Sequence, residues 1–373
     1  MTRRSFALLP AAPLRRLPGQ PARSRWTAEV FRLHLRHTWT TTMASSDFRD
    51  VLHVRLQRDG LTGHGEGAPI VRYREDALAA RQMVEQARRL LEDADPLQFR
   101  KTMRLLFERF PGNFAAKAAI DIALHDWVAQ RLQVPLYTLL GLDPTDAPLT
   151  SFSIGIDTPE ITRQKVLEAE PFPILKIKVG LDKDQATMDA VRSLTQKTLR
   201  VDANEGFKSK EEAVRKIKWL ETLGVELIEQ PLPAHMVEET RWVRSRVNMP
   251  ILADEACLHP EDIPRLAGAY DGIVVKLMKS GGILEVLRMI EVARAHKLKV
   301  MIGCMIESSI GITAAAHLSP LADWADLDGN LLINNDPWQG VQVHNGRLVL
   351  PRRPGLGLAR RRESTSSRSA QAC

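Results

Sequence analysis

At 373 residues, 44% of them hydrophobic and 26% charged, the chain has the make-up of a globular protein large enough for two domains, or for one domain joined to a barrel. The formal charge of +7 would suit a nucleic-acid binder, but residues 1–25 hold six arginines and no acid, and residues 351–373 hold six arginines against Glu363, so the body between them is mildly acidic. That distribution speaks against nucleic acid as a partner. The absence of any membrane-length apolar run speaks against a membrane.

Three cysteines, Cys257, Cys304 and Cys373, form neither a disulfide framework nor a close metal pair, which fits a reducing, cytoplasmic location. The start, Arg3-Arg4-Ser5-Phe6, has a twin-arginine look. The apolar stretch after it is short, broken by proline and followed by Arg15-Arg16, so a disordered basic extension over 1–25 is expected rather than an export signal. A disordered basic tail is expected over 352–373.

From residue 26 the pattern is β: 30–35 and 51–56 alternate apolar and polar, and 38–50 between them reads as a polar, mobile loop. Asp59-Gly60 marks a turn, and Gly63-His64-Gly65-Glu66-Gly67 reads as another. Helical periodicity then occupies 76–91, 96–110 and 113–133. Strands followed by helices define an α+β capping domain over 26–148.

Beyond residue 149 short β-rich runs begin at 151, 174, 199, 226, 251, 272, 300 and 323, with amphipathic helical stretches such as 210–223 and 283–296 between them. Eight strands alternating with helices at this spacing predict an α/β fold, a modified (β/α)8-type TIM barrel over 149–335. An open doubly wound sheet is the alternative, but no Gly-rich dinucleotide turn follows the first strand. A hairpin with an Asn345-Gly346 turn is expected within 336–351, returning to the capping domain.

The strand ends carry the chemistry. Lys176 and Lys178 are two apart in Leu175-Lys176-Ile177-Lys178, so they share a face. Asp202, Glu229 and Asp254 end the third, fourth and fifth strands, and barrel strand ends converge on one face. Three carboxylates with no histidine or cysteine beside them suit Mg²⁺. Lys178 flanks them on the second strand and Lys276, or else Lys279, on the sixth. Asp254 and Glu255 alternate faces, so Asp254 is the expected ligand, with Glu255 and Asn204 in supporting positions behind the ligands.

These residues carry a resemblance. Leu175-Lys176-Ile177-Lys178, Val201-Asp202-Ala203-Asn204, Ile228-Glu229-Gln230-Pro231, Ala253-Asp254-Glu255, Val275-Lys276-Leu277-Met278-Lys279 and Gly303-Cys304-Met305-Ile306-Glu307-Ser308 occur in order at barrel spacing over about 26–350. The chain resembles the enolase superfamily, in its muconate-lactonizing-type subgroup and within that the dipeptide epimerases, such as L-alanyl-D/L-glutamate epimerase. The superfamily pairs a Lys or His base with Mg²⁺. The resemblance implies one Mg²⁺ per subunit on Asp202, Glu229 and Asp254. It also implies Lys178 and Lys276 as acid/base residues on opposite faces of the substrate, with Lys176 in support and Lys279 as a loop lysine.

The implied reaction inverts the α-carbon of the C-terminal residue of a small dipeptide: one lysine removes the proton, Mg²⁺ stabilises the enediolate, and the other lysine returns a proton from the opposite side. Mg²⁺ and Lys176 are expected to lower the pKa of Lys178. The Asp326-Leu327-Asp328 pattern implies a carboxylate clamp on the substrate's α-ammonium, and the loop 38–49 would close over the site. Glu307, Ser308, Ser309, Thr150 and Phe152 are candidate substrate contacts.

Plainer readings stand beside these. Each acid alone suits a cap or a solvated loop, Asp326 and Asp328 before Gly329 suit a turn, and Ser308-Ser309 suits the cap of a helix at 311–318. His235 reads as a surface residue, and Cys304 and Cys257 as small core residues. A cycloisomerase or succinylbenzoate-synthase-like lyase of the same superfamily is the alternative activity, and a barrel that has lost its chemistry is a third reading. A homo-oligomer is expected.

Overall fold

The computed structural model describes residues 23–361; the twin-arginine start and the far end of the basic tail lie outside them. The capping domain opens with an antiparallel meander of β1 (Arg25–Thr40), β2 (Ser45–Arg58) and β3 (Leu61–Gly67). The expected mobile loop at 38–50 is instead the far end of the β1–β2 hairpin, which narrows to the turn 41–44 after a register shift between His34 and Trp39. Trp39 and the threonines after it supply the β-branched and aromatic character that prolongs a strand, which outweighs the local polarity. Asp59-Gly60 does turn the chain, both residues at positive φ.

The glycine run at 63–67 is a strand, not a turn. Gly63, Gly65 and Gly67 alternate, so all three face one way, and that face lies directly on the helix Phe114–Arg131. A Cβ on Gly65 would sit 1.8 Å from the Ala119 carbonyl oxygen, and one on Gly63 or Gly67 would sit 2.1 or 2.2 Å from those of Ala123 and Ala115. The three alanines recur every fourth residue and present a matching small-residue stripe. Gly65→Ala is therefore expected to force strand and helix apart, costing about 3 kcal/mol or more and lowering Tm by at least roughly 5 °C in a thermal melt.

Helices at Ala77–Gln86, Arg88–Asp93 and Phe99–Arg109 pack around Phe114–Arg131, the first capped by Asp76 Oδ1 on the Ala79 N–H at 2.8 Å. Phe114–Arg131 is buried on nearly all sides because it also abuts the barrel. Asp121 accepts from the Leu284 N–H at 3.0 Å, so a capping-domain carboxylate caps a barrel helix (Ile283–Ala295).

Eight parallel strands follow: β4 (Phe152–Ile154), β5 (Ile174–Lys178), β6 (Thr198–Asp202), β7 (Val225–Glu229), β8 (Ile251–Ala253), β9 (Gly272–Val275), β10 (Lys299–Gly303) and β11 (Trp324–Asp326). They lie side by side in chain order, and a bridge between Thr150 and Ala325 brings the last strand back to the first. Every strand places alternate residues inside. Lys176, Arg200, Leu227, Leu252 and Val274 form a lower layer, and Lys178, Asp202, Glu229, Asp254 and Lys276 come two residues later along the same five strands. The polar mouth is thus the same inward periodicity carried one step further.

The expected hairpin forms between Gln342–His344 and Arg347–Val349, with Asn345 and Gly346 at positive φ. It docks beneath the barrel rather than on the capping domain: Gly346 O accepts from the Thr150 N–H at 2.8 Å. The flanking segments make the return instead. Trp338 packs on His64 of β3, ring centroids 4.5 Å apart, and Asp126 accepts the Leu356 N–H at 2.7 Å. The stretch 352–361, expected as disordered tail, is consequently held in place, with Ala359–Arg360 pairing with Trp338–Gln339. Among the described residues no helix is long and apolar enough to cross a membrane.

Candidate active site

The mouth of the barrel holds a compact grid of ammonium and carboxylate groups, nearly all buried. Lys178 Nζ lies 2.6 Å from Asp202, Lys276 Nζ 2.6 Å from Asp254, and Lys176 Nζ 2.6 Å from both Glu229 and Asp326. Lys178 ends β5 and Lys276 follows β9, four strands apart in an eight-stranded ring, so they face each other across it. Between them Asp202, Glu229 and Asp254 sit on three adjacent strands.

Lys279 belongs to this grid and is no loop lysine. The short helix Leu277–Ser280 after β9 places it one turn beyond Lys276, where Nζ reaches Asp254 Oδ1 at 2.5 Å and the Asp254 carbonyl at 2.7 Å. Burial works against the charge on Asp254, but Lys276 and Lys279 hold its carboxyl well below the usual range. Burial likewise disfavours the ammonium of Lys276, yet Asp254 and Glu229 keep it well above the ordinary lysine value.

Asp326 and Asp328 share a face as their spacing requires, and both line the cavity. Asp326 accepts from Ser151 Oγ and Lys176. Burial would raise its carboxyl, but Lys176 holds it at about 2. Asp328 accepts the Ser153 N–H at 2.5 Å, and burial together with the charge of Asp326 pushes it up to about 7.

Three expected substrate contacts turn away from the cavity. Thr150 Oγ1 takes the Leu327 N–H at 2.7 Å and stitches the closing seam of the barrel. Ser308 caps the helix Ser309–Ala316 and bonds through N–H and Oγ to Glu66, a buried carboxylate of β3. Glu307 bends back to the Met305 N–H at 2.7 Å. Phe152 packs on Phe172 and Ser309 bonds Asp336. Strand ends fix which residues reach the mouth; the loops after them fold on their own local bonds, which spacing does not encode. Cys304, expected in the core, stands on the cavity wall, while Cys257 is fully buried and His235 is exposed as expected.

The capping domain completes the cavity, a space of about 390 Å³. Trp39, Thr41, Met43 and Arg49 come from the β1–β2 hairpin, and Arg72 and Tyr73 from the turn after β3. The hairpin is fastened to the barrel: Thr40 O accepts from the Ile156 N–H at 3.0 Å and Thr42 Oγ1 donates to Asn204 O at 2.7 Å. Arg72 grips Glu205 through two bonds of 2.9 Å. No period or motif marks these residues in the sequence.

The donor set fits a hard divalent cation. Asp202, Glu229, Asp254, Glu255, Asp326 and Asp328 face Lys176, Lys178, Lys276 and Lys279, leaving negative charge in excess. Neither oxygen of the fully buried Glu229 has a well-aligned hydrogen-bond donor, although Lys176 stands 2.6 Å away. Burial and Asp202 push Glu229 up to about 8, and burial and Asp254 do the same to Glu255, which accepts from Asn204 Nδ2 at 3.1 Å. Such carboxylates need a proton or a cation. Among the described residues no three acid, histidine or cysteine side chains already converge on one point as a finished metal cage; Lys176 reaches between Asp202 and Glu229, and Lys276 between Glu229 and Asp254.

A capping domain over a (β/α) barrel with lysines and acids at its mouth defines a class of enzyme architecture, and comparison with known proteins narrows it. Residues 27–141 match the mandelate racemase/muconate lactonizing enzyme N-terminal domain, and residues 161–364 match the enolase C-terminal domain-like family. The chain belongs to this branch of the enolase superfamily. It is 38% identical over 341 residues to the L-Ala-D/L-Glu epimerase of Bacteroides thetaiotaomicron, covering 91% of this chain and 89% of that protein. It is 42% identical over 338 residues to the L-Ala-D/L-amino acid epimerase of Pedosphaera parvula, covering 87% and 96%. The structure of a dipeptide epimerase from Enterococcus faecalis, complexed with Mg and L-Leu-L-Tyr, superposes with a TM-score of 0.84 at 34% identity, covering 90% of this chain and 99% of that one.

Proposed function

We propose that this chain is a Mg²⁺-dependent dipeptide epimerase that inverts the α-carbon of the substrate's C-terminal residue. The observation that carries the reading is the placement of Lys178 and Lys276 across the barrel with three carboxylates between them. Asp202, Glu229 and Asp254 would hold the cation, which supplies positive charge to the substrate carboxylate as its α-proton leaves.

The two lysines then divide the proton work. Asp254 and Glu229, which keep Lys276 charged, would be committed to the cation, so that a lysine can stand neutral. That lysine takes the α-proton from its side of the substrate, and the other, still protonated, delivers a proton from the far side, so the configuration inverts. Buried Lys176 ties the ligand carboxylates to the clamp through Asp202, Glu229 and Asp326 and keeps their spacing fixed. Asp326 and Asp328 would take the α-ammonium, which orients the dipeptide with its C-terminal residue between the lysines. The fastened hairpin and Tyr73 shield the lysines and carboxylates from bulk water, where the same charges would act more weakly. Free Cys257 and Cys304 support a reducing, cytoplasmic setting. The expectation of a homo-oligomer stays part of this reading.

The test is deuterium exchange. Enzyme, Mg²⁺ and a pool of L,L- and L,D-dipeptides are incubated in heavy water and read by mass spectrometry and chiral chromatography. Selected dipeptides should gain one deuterium at the C-terminal α-carbon with inversion, and chelation by EDTA should stop it. A pool that returns unlabelled would remove the epimerase reading in favour of a lyase or cycloisomerase.

A further inference from the structure

The chain leaves β6 through two consecutive non-glycine residues in the left-handed region, Asn204 at φ 40° and Glu205 at φ 63°. A side chain disfavours that backbone, so it persists only where its surroundings fix it. Here they do. The Glu205 N–H donates to Gln230 O at 2.9 Å, and Glu205 Oε1 accepts the Ala234 N–H at 2.7 Å. The capping domain supplies the rest. Thr42 Oγ1 donates to Asn204 O at 2.7 Å, and Arg72 spans both carboxylate oxygens of Glu205 at 2.9 Å.

This corner carries part of the catalytic centre. The Asn204 N–H donates to Asp202 Oδ1 at 2.9 Å, and Asn204 Nδ2 donates to Glu255 at 3.1 Å. With Oδ1 held in this way, Asp202 turns its other oxygen to Lys178 at 2.6 Å and to Lys176 at 3.3 Å. One N–H of a strained corner therefore sets the orientation of a carboxylate and, through it, the place of a lysine. The grip on Glu205 comes from a residue 133 positions earlier in another domain, and the fork of a guanidinium on a carboxylate fixes direction as well as distance.

Resting on the epimerase reading, in which Asp202 holds Mg²⁺ and Lys178 moves the proton, we propose that Arg72 and Glu205 are positioning residues for the reaction. Their ion pair locks the corner 204–205, so that Asp202 keeps its orientation only while the turn after β3 is seated on the barrel. The cover of the cavity and the metal site beneath it thus form one mechanical unit.

The test is a double-mutant cycle of Arg72→Met and Glu205→Gln, read by calorimetric titration of Mg²⁺ and by thermal melts. Arg72 is partly exposed, and Gln keeps the shape of Glu205 and its acceptor for Ala234, so both variants should fold. Each should weaken Mg²⁺ binding by about 10-fold, the lower end of what groups that orient metal ligands are worth. The double variant should lose no more than either single one, because the pair acts as a unit. Arg72→Lys, which keeps the charge without the fork, should fall between the wild type and Arg72→Met. Dipeptide exchange should drop through kcat, with KM little changed. A merely structural role would lower Tm and leave the Kd of the folded protein for Mg²⁺ as it was. Unchanged Mg²⁺ affinity in both single variants, or losses that multiply in the double variant, would overturn the proposal. The titration needs no dipeptide, so failure of every dipeptide to exchange its α-proton would remove the epimerase reading and still leave the coupling of Arg72 and Glu205 to the metal site decided.

Discussion

Alanine at Lys276 should reduce interconversion of the two epimers by about 10²- to 10⁴-fold, the usual worth of a positioned acid/base group. Lys178→Ala should do the same. Their residual chemistry should differ. With Lys276 gone, Lys178 can still remove and return the α-proton of whichever epimer presents it to that side. This variant should wash deuterium into one epimer without inverting it, and Lys178→Ala should wash it into the other. Isothermal titration should show that both variants still bind Mg²⁺, because the carboxylates between the lysines are untouched. Exchange of the same epimer by both variants would mean that the lysines do not face opposite sides of the substrate.

Asp328→Asn should raise KM for free dipeptides by about 10- to 100-fold and alter kcat less, because a buried carboxylate facing an ammonium acts mainly in binding. N-acetyl dipeptides, which lack the ammonium, should not distinguish the variant from the wild type. A pH dependence accompanies this. Burial and Asp326 push Asp328 up to about 7, so it loses its charge as pH falls through neutrality. KM of the wild type should therefore climb between pH 8 and pH 6, with a flatter profile in Asp328→Asn. Asp326→Asn should be more severe, lowering kcat as well, since Asp326 also holds Lys176 against the ligand carboxylates. Unchanged KM in both variants would take the clamp out of the mechanism.

The barrel and the grid of charges were legible because both follow a period. Lys176 and Lys178, or Asp326 and Asp328, declare a shared face by being two apart, and eight repeats of strand and helix declare the ring. Sequence offers Lys279 only as an alternative to Lys276, whereas both reach Asp254, because Lys279 lies one helical turn past a strand end, where the period changes from 2 to 3.6. Thr150, Ser308 and Glu307 were misplaced for the opposite reason: adjacency in sequence to a strand end says nothing once local hydrogen bonds to Leu327, Glu66 and Met305 turn the side chains elsewhere. Arg72 and Tyr73 arrive from another domain through long-range packing that no local signal carries, and the stretch 38–49 is placed over the site by the family resemblance alone. The glycines at 63, 65 and 67 suggest a turn in sequence because glycine more often means freedom than absence of volume.

That absence of volume bears on how the enzyme can diverge. The strand β3 rests on the helix Phe114–Arg131 with no space for a single methyl group, and that helix is itself pinned to the barrel by Asp121. Any substitution along this seam disturbs strand, helix and barrel together, so selection has little to work with there. At the tip of the β1–β2 hairpin only Thr42 is held, by Asn204, while Met43, Ala44 and Ser45 are exposed on the rim of the cavity. New substrate preferences should therefore accumulate at 43–46 with the rest of the domain unchanged. A mutant library confined to those positions should yield altered selectivity at a small cost in folding, whereas one spread over 63–67 should mostly yield insoluble protein.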